Sequence, residues 1–359
     1  MLDSVAARAF TVPTDAPEAD GTLEWTATTI VVVQARCQGQ VGLGYTYTDR
    51  AAAELINTKL AAIAANSDPM APGRSWAAMV RAVRNLGRPG ICAAAISAVD
   101  AALWDLKARL LDLPLAVLLG VLHQSVPIYG SGGFTSYSAE QLTQQLQGWA
   151  QSGIRQVKMK IGSHPEQDGE RVRLAREAVG PEVALFVDAN GAYDRKQALA
   201  QAEIFAAQNV TWFEEPVPSD DLDGLHLLRQ QAPAGMDIAA GEYGYDVNYF
   251  RRMLHAGAVD VLQADATRCG GVTGFLQAAA LADAFCIPLS AHTAPALHLP
   301  LCCAAARLRH LEYFHDHVRI ERMIFDGAPV PDGGALKPDL SQPGFGLVLR
   351  EADMEAFAV

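Results

Sequence analysis

From Val126 onward, short apolar runs alternate with stretches of helical period. The runs at 127–130, 156–161, 184–188, 211–214, 237–240, 261–264, 288–292 and 310–313 are mostly continuous rather than alternating. That is the pattern of a strand covered on both faces, as in a parallel sheet. Helical patterns lie between most of them, for example 139–151 and 166–179, the latter stopped by Gly180-Pro181. Eight buried strands separated by helices are enough to close a barrel.

The first third of the chain has a different rhythm. The β-branched run 25–38 reads as a strand that breaks near Gly39 and resumes at 40–48, a hairpin. Residues 11–21, with Pro13, Asp15, Pro17, Glu18 and Asp20, have no period and are expected to form a loop. Helical patterns follow at 51–65 and 76–86. After Pro89-Gly90 comes a clear helix: Ile96, Val99, Leu103, Leu106 and Leu110 step by 3, 4, 3 and 4, which is one apolar stripe. Pro114 marks its end, and 115–119 closes at Gly120. Gly42-Leu43-Gly44 and Gly130-Ser131-Gly132-Gly133 fit no dinucleotide or phosphate loop, and read as a hairpin bend and a strand-end loop. After Arg319 the alternation stops, and Gly-, Pro- and Asp-rich text (326–346) leads back toward the first unit. The division expected is an α+β unit at 1–125, completed by 320–359, and a barrel at 126–319.

Composition narrows the function classes. An apolar fraction of 50% and a charged fraction of 19% describe a globular chain with a large core. A net charge of −12 without a run of five basic residues argues against nucleic acid as a partner. The longest apolar stretches, 93–106 and 294–308, are interrupted by Asp100, Asp105, His298 and Arg307, so no membrane span is expected. The first ten residues show no leader pattern. The six cysteines form no CxxC pair, and a reduced, cytoplasmic setting fits them.

The chemistry lies at the strand ends. Lys160, Asp188, Glu214, Glu242, Asp265, His292 and Glu312 each close an apolar run, at steps of 28, 26, 28, 23, 27 and 20 residues. Strands of a barrel all end at one face, so these side chains converge. Lys158 and Lys160, two apart, share a strand face; as solvated lysines they mean nothing, but inside a barrel their mutual repulsion is expected to lower the pKa of one or both. Asp188 alone reads equally well as a helix N-cap. Asp188, Glu214 and Glu242 together form an all-oxygen donor set suited to Mg2+ rather than zinc. Asp265 and His292 sit on consecutive strands, within reach of a carboxylate–imidazole bond that fixes the tautomer and raises basicity. A lone histidine in an apolar strand is more often a core residue. Glu312 reads either as an acid balanced by a lysine or as a protonated donor to substrate. His315 and His317 follow closely enough to line a pocket rim.

The motifs Lys158-Met159-Lys160, Asp188-Ala189-Asn190-Gly191, Glu214-Glu215-Pro216, Gly241-Glu242, Gln263-Ala264-Asp265, Ser290-Ala291-His292 and Glu312 resemble those of the enolase superfamily, within its mandelate racemase subgroup. The segment from Ala101 through Trp104-Asp105 to Gly120 is similar to that family's link between capping domain and barrel. The resemblance covers essentially the whole chain. It implies an α/β fold, a modified TIM barrel (β/α)7β under an N-terminal α+β capping domain, and one Mg2+ on Asp188, Glu214 and Glu242. It implies removal of the proton α to a carboxylate to give a metal-stabilised enediolate, the chemistry known for this superfamily with Lys or His bases. Lys160 would be the base on one face, and His292, tuned by Asp265, the acid/base on the other. Lys158 would neutralise the substrate carboxylate, Glu312 would donate to the enediolate, and Asn190 would contact substrate. A small-molecule carboxylate substrate and a homo-oligomer are expected. Family precedent favours dehydration of an acid sugar (aldonate or aldarate) to a 2-keto-3-deoxy acid, ahead of a 2-hydroxy-acid racemase or epimerase and a lactone cycloisomerase. From the residues alone, a metal-independent Schiff-base aldolase using Lys160 and a non-enzymatic binding barrel stay open. Specificity is expected from 12–23 and 45–50, where the acidic first segment disfavours a second substrate carboxylate and Arg50 would offset it.

Overall fold

The computed structural model describes residues 2–359. Its first unit is an antiparallel sheet of three strands, β1 (Ser4–Ala19), β2 (Glu24–Cys37) and β3 (Gln40–Tyr47), in the order β1-β2-β3. The turn between β2 and β3 is Gln38-Gly39, both at positive φ (51° and 79°), the handedness that a two-residue hairpin requires.

Residues 11–19, expected as loop, belong to β1. Pairing with β2 runs from Ser4–Arg36 to Pro13–Ala27, slips, and resumes at Glu18–Trp25. Because β1 is an edge strand, Pro13 and Pro17 interrupt no ladder on its open side, and the slip absorbs the irregular stretch. The Gly42-Leu43-Gly44 segment is likewise not a bend. Both glycines lie inside β3, where an added Cβ would sit 2.2 Å from Ala102 O at Gly42 and 2.2 Å from Ala98 O at Gly44. The helix Ile91–Leu110 therefore packs directly on the strand backbone.

That helix is buried on nearly every side rather than along one stripe. It sits between the sheet and the barrel helix Gly271–Ala284. Its two buried acids act as ties: Asp100 accepts from Thr273 N (2.8 Å) and Oγ1 (2.7 Å). Asp105 accepts from Leu43 N (2.7 Å), Phe345 N (2.6 Å) and Arg109 Nε (2.7 Å).

Eight parallel strands follow: β4 (Val126–Gly132), β5 (Gln156–Lys160), β6 (Ala184–Asp188), β7 (Val210–Glu214), β8 (Asp237–Ala240), β9 (Val261–Ala264), β10 (Leu289–Ala291) and β11 (Leu308–Phe314). Each pairs with the next, and β11 pairs with β4 to close the ring. Tyr129, Phe186, Trp212 and His310 form a mutually contacting aromatic layer inside it. Phe186, Trp212 and His310 stand two residues before Asp188, Glu214 and Glu312, so the period-2 rule puts the polar ring on the same inner face, one layer higher.

Helix His315–Ile324 continues the alternation past Arg319, contrary to expectation. Beyond it, Ala335–Leu336 pairs antiparallel with the start of β4, and the last residues reach the first sheet through Gln34–Glu351 and Arg8–Glu355 contacts, each 2.8 Å. Among the described residues no helix is long and apolar enough to cross a membrane.

Candidate active site

The strand register aligns the site. Lys160 lies beside Asp188 across β5–β6, and Asp188 beside Glu214 across β6–β7. Glu242 arrives from just beyond β8, after Gly241 at φ 137°. A Cβ at Gly241 would lie 2.1 Å from Gln263 O, so only glycine lets this turn press against β9. All three acids are buried, and one oxygen from each falls within 4.8 Å of the others. The chain leaves the strands here in sparsely populated conformations: Asn190, Glu215, Thr293 and Ala294 all have positive φ. Strain of this kind concentrates where backbone placement serves a site.

Neither bland reading of these residues survives. Asp188 is no helix cap: its Oδ1 accepts from Asn190 N at 3.0 Å, while Asp194 caps helix Arg195–Ala206. The lysines are not solvated. Lys158 is fully buried, with Nζ 2.5 Å from Glu214, 2.8 Å from Glu312 and 3.1 Å from Asp188. Lys160 Nζ lies 2.6 Å from Asp188.

The expected lowering of the lysine pKa values is overturned. Burial lowers both, and Lys158 further lowers Lys160, but the carboxylates prevail: Glu214, Glu312 and Asp188 hold Lys158 well above the ordinary lysine range, and Asp188 raises Lys160. The cost of four converging acids falls on Glu214, which burial and the neighbouring Asp188 push up to about 8.

On the other side of the triad, His292 Nδ1 is 2.9 Å from Asp265 Oδ2, and its Nε2 is 3.2 Å from Glu242 and 3.6 Å from Glu312. Burial disfavours the imidazolium, yet Glu242, Glu312 and Asp265 outweigh it and push His292 up to about 10. Glu312 accepts from Thr293 N at 3.2 Å with one oxygen and meets Lys158 with the other. Burial would raise its carboxyl, but Lys158 and His292 bring it below the usual range. The structure thus displays Glu312 as an acid balanced by a lysine.

Lys160, Asn190, Glu242, His292 and Glu312 open into a cavity of about 420 Å3 whose other wall belongs to the first sheet. Asp20, Leu23, Tyr47, Thr48 and Asp49 come from the two segments expected to set specificity. Trp25, Thr28 and Thr29 of β2 were not anticipated, and Arg50 does not line the cavity. His317 does, stacked on Tyr47 at 3.5 Å between ring centroids. His315 does not; it bonds Asp15 at 2.9 Å and borders separate outer clefts. Sequence reasoning also missed Arg268, three residues past Asp265. It lies 3.2 Å from Glu242 and 3.5 Å from Asp265, bridging the triad to the histidine pair. Its spacing of one helical turn from Asp265 was the available signal.

The donor set fits a hard divalent cation. It is all oxygen, it converges, and further buried oxygens stand nearby without a hydrogen-bond partner, on Asn190 and Glu215. Glu215 is held above the usual carboxylate range by burial and by Glu242 and Asp188.

Residues 141–353 match the family described as Enolase C-terminal domain-like, and residues 8–120 match the Mandelate racemase / muconate lactonizing enzyme, N-terminal domain. The chain is 34% identical over 297 residues, 80% of this chain and 74% of the relative, to L-talarate/galactarate dehydratase from Salmonella typhimurium. It superposes on the crystal structure of a mandelate racemase/muconate lactonizing enzyme-like protein from Rubrobacter xylanophilus with a TM-score of 0.98 and 53% identity, covering 100% of this chain and 99% of that one. A racemase from Streptomyces coelicolor A3(2), solved with bound magnesium, gives a TM-score of 0.94 at 28% identity, covering 100% of both chains. The chain therefore belongs to the enolase superfamily, in its mandelate racemase/muconate lactonizing enzyme group.

Proposed function

We propose that the protein is a Mg2+-dependent dehydratase of acid sugars, converting a polyhydroxy acid to its 2-keto-3-deoxy product. The observation that carries this reading is that Lys160 and His292 face one cavity from the ends of β5 and β10, which are separated by the four acid-bearing ends of β6, β7, β8 and β9. Asp188, Glu214 and Glu242 are the residues to hold Mg2+, a reading supported by the racemase solved with magnesium and by an L-talarate/galactarate dehydratase structure liganded with Mg and L-glucarate. When bound, the cation supplies electrostatic stabilisation to the charge that develops on the substrate carboxylate.

Lys160, once its ammonium has released a proton, takes the proton from the carbon α to the carboxylate. The C–O bond at the β-carbon then breaks, and His292 gives its proton to the departing hydroxyl, which leaves as water. The enol that remains tautomerises to the keto acid. Asp265 keeps Nδ1 of His292 engaged, so Nε2 is the atom that exchanges the proton. Lys158 anchors Glu214 and Glu312 from beneath the cavity, which it does not line, and Asn190 contacts substrate beside the triad. Glu312 donates to the enediolate only after taking up a proton itself, since in the present geometry both of its oxygens accept. A Schiff-base aldolase would leave the converging carboxylates of Asp188, Glu214 and Glu242 without a role.

Racemisation or epimerisation of a 2-hydroxy acid is the second reading. The same two opposed groups favour it, with His292 returning the proton to the opposite face of the α-carbon. A screen of acid sugars and 2-hydroxy acids with Mg2+ in D2O separates the two. Keto acid supports the dehydratase; α-deuterium without elimination replaces it with the racemase. Full activity in EDTA, with an adduct trapped by borohydride, would discard both. An assembly of several copies is part of the reading, to be measured by sedimentation.

A further inference from the structure

We propose that the cavity takes a sugar acid bearing a single carboxylate, and that a second carboxylate at the far end of the chain is excluded by the cap wall. This rests on the acid-sugar reading above and narrows it. The cavity is polarised. Every cationic side chain that lines it, Lys160, Arg268 and His292, belongs to the barrel. Each stands against the acids of the site: Lys160 on Asp188, Arg268 on Glu242 and Asp265, His292 on Asp265 and Glu242. One carboxylate, placed at the barrel end, is all that these groups are positioned to receive.

The opposite wall has the reverse character. Asp20 and Asp49 supply its only formal charges, beside the hydroxyls of Thr28, Thr29 and Thr48 and the apolar faces of Leu23 and Trp25. Both acids have an oxygen fixed in a turn: Asp20 Oδ1 accepts from Thr22 N (2.6 Å) and Leu23 N (2.8 Å), and Asp49 Oδ1 accepts from Ala51 N (2.8 Å). Among the described residues neither makes an ion pair. Arg50, the one cation that could have compensated, is exposed and lies outside the lining. His317 offers no cation either, because burial and the nearby His292 push its imidazole down to about 3.

The cavity volume of about 420 Å3 is in the usual range for a small-molecule site, about 300–1,000 Å3. Asp20 and Asp49 line the same cavity as Lys160 and His292, so an acid sugar that fills it brings its far end within reach of their charges. A hydroxymethyl or methyl terminus meets hydroxyl acceptors and apolar surface there. A carboxylate meets the negative charges of half-buried Asp20 and exposed Asp49, and like charge disfavours it.

The test compares hexonates with hexarates of the same configuration, which differ only at C6, by kcat/KM with Mg2+. The expected result is a preference of at least about tenfold for the hexonate of any pair that is turned over. The double variant Asp20→Asn/Asp49→Asn should shrink that ratio by roughly three- to tenfold, mainly through a lower KM for the hexarate. Equal or better use of the hexarate overturns the proposal while leaving the dehydratase reading intact. A wild-type preference that the double variant leaves unmoved overturns the assigned cause. If neither acid loses water or exchanges its α-proton, the dehydratase reading falls. The charge rule is then judged by calorimetric binding of the same pairs in Mg2+, where tighter binding of the hexarate refutes it.

Discussion

Lys158 and Lys160 are two residues apart and do different jobs, because their environments differ. Lys158 has no exposure and three carboxylates within 3.1 Å of its Nζ. Lys160 touches only Asp188 and opens into the cavity. Removing the charge of Lys158 leaves Glu214, Glu312 and Asp188 buried without their main counter-ion, a change that costs about 3–5 kcal/mol where a buried pair is broken. Lys158→Met should therefore lose stability on that scale, measured by chemical denaturation. Lys160→Met should cost less than that, because Asp188 keeps Lys158 as a counter-ion at 3.1 Å, yet lose at least about a thousandfold in α-proton exchange. Equal destabilisation by the two changes would contradict this division. A second residue carries a pH signature. Glu321 is fully buried, receives Tyr45 Oη at 2.5 Å and Ala296 N at 3.0 Å, and burial pushes its carboxyl up to about 8. Its folded-state pKa is raised, so its contribution is present in full below the unfolded value near 4.5 and is lost as pH rises toward 8. Glu321→Gln keeps an acceptor for Ala296 and cannot ionise. Compared with the parent, it should gain stability progressively from pH 5 to 8, on the order of 3 kcal/mol in all. Parallel stability curves for the two proteins would remove Glu321 as the cause.

At the level of elements, the close contact of the helix Ile91–Leu110 with β3 depends on having no side chain at Gly44, where a Cβ would meet Ala98 O at 2.2 Å and Ala102 N at 2.4 Å. Gly44→Ala forces the helix away from the sheet, and should cost about 1–3 kcal/mol or more. Gly148, inside helix Ala139–Gln151, has nothing within 4 Å of such a Cβ. There the same substitution should stabilise by about 1 kcal/mol, since alanine loses less backbone freedom. Urea midpoints of the two variants moving in the same direction would refute the packing argument. This contrast also shows what the chain disclosed about itself. The barrel strands were legible because burial on both faces leaves unbroken apolar runs; Ala184–Asp188, Asp237–Ala240 and Val261–Ala264 fall where the pattern put them. Their terminal polar residues were legible because the βα repeat sets their spacing. The second half of β1 was not, since an edge strand tolerates the prolines and acids that elsewhere mean a loop. Nor were Gly42 and Gly44, whose role is set by a helix more than fifty residues away. The wall formed by Trp25, Thr28 and Thr29 was missed for the same reason: it acts across a tertiary contact that leaves no periodic trace.

At the scale of the molecule, the cavity exists only while the first unit and the barrel hold together. Buried ties cross between them: Thr46 Oγ1 donates to Thr267 O (2.7 Å), Gly270 N to Ser97 Oγ (2.8 Å), Thr273 to Asp100, and Tyr45 to Glu321. Parting the units would exchange each bond for one to water, a net loss of about 0.5–1.5 kcal/mol apiece, and would expose the apolar surface packed between them. Separation without unfolding is thus disfavoured, and the chain should unfold in one transition seen alike by far-UV circular dichroism and tryptophan fluorescence. Three buried carboxylates within 4.8 Å oppose one another in that folded state, and Glu214 registers the opposition in its raised pKa. A cation that joins them binds the native arrangement and has no such site in the unfolded chain. Native-state stability should therefore rise with Mg2+ by about 1.4 kcal/mol for each tenfold increase above the dissociation constant. Because the units are tied, Mg2+ should move the whole transition, although all three of its ligands lie in the barrel. Glu214→Gln should abolish the dependence. A Mg2+-sensitive step separated from a Mg2+-insensitive one in the unfolding curve would show that the ties do not couple the units, and an unchanged midpoint in the parent protein would show that the triad does not hold the ion.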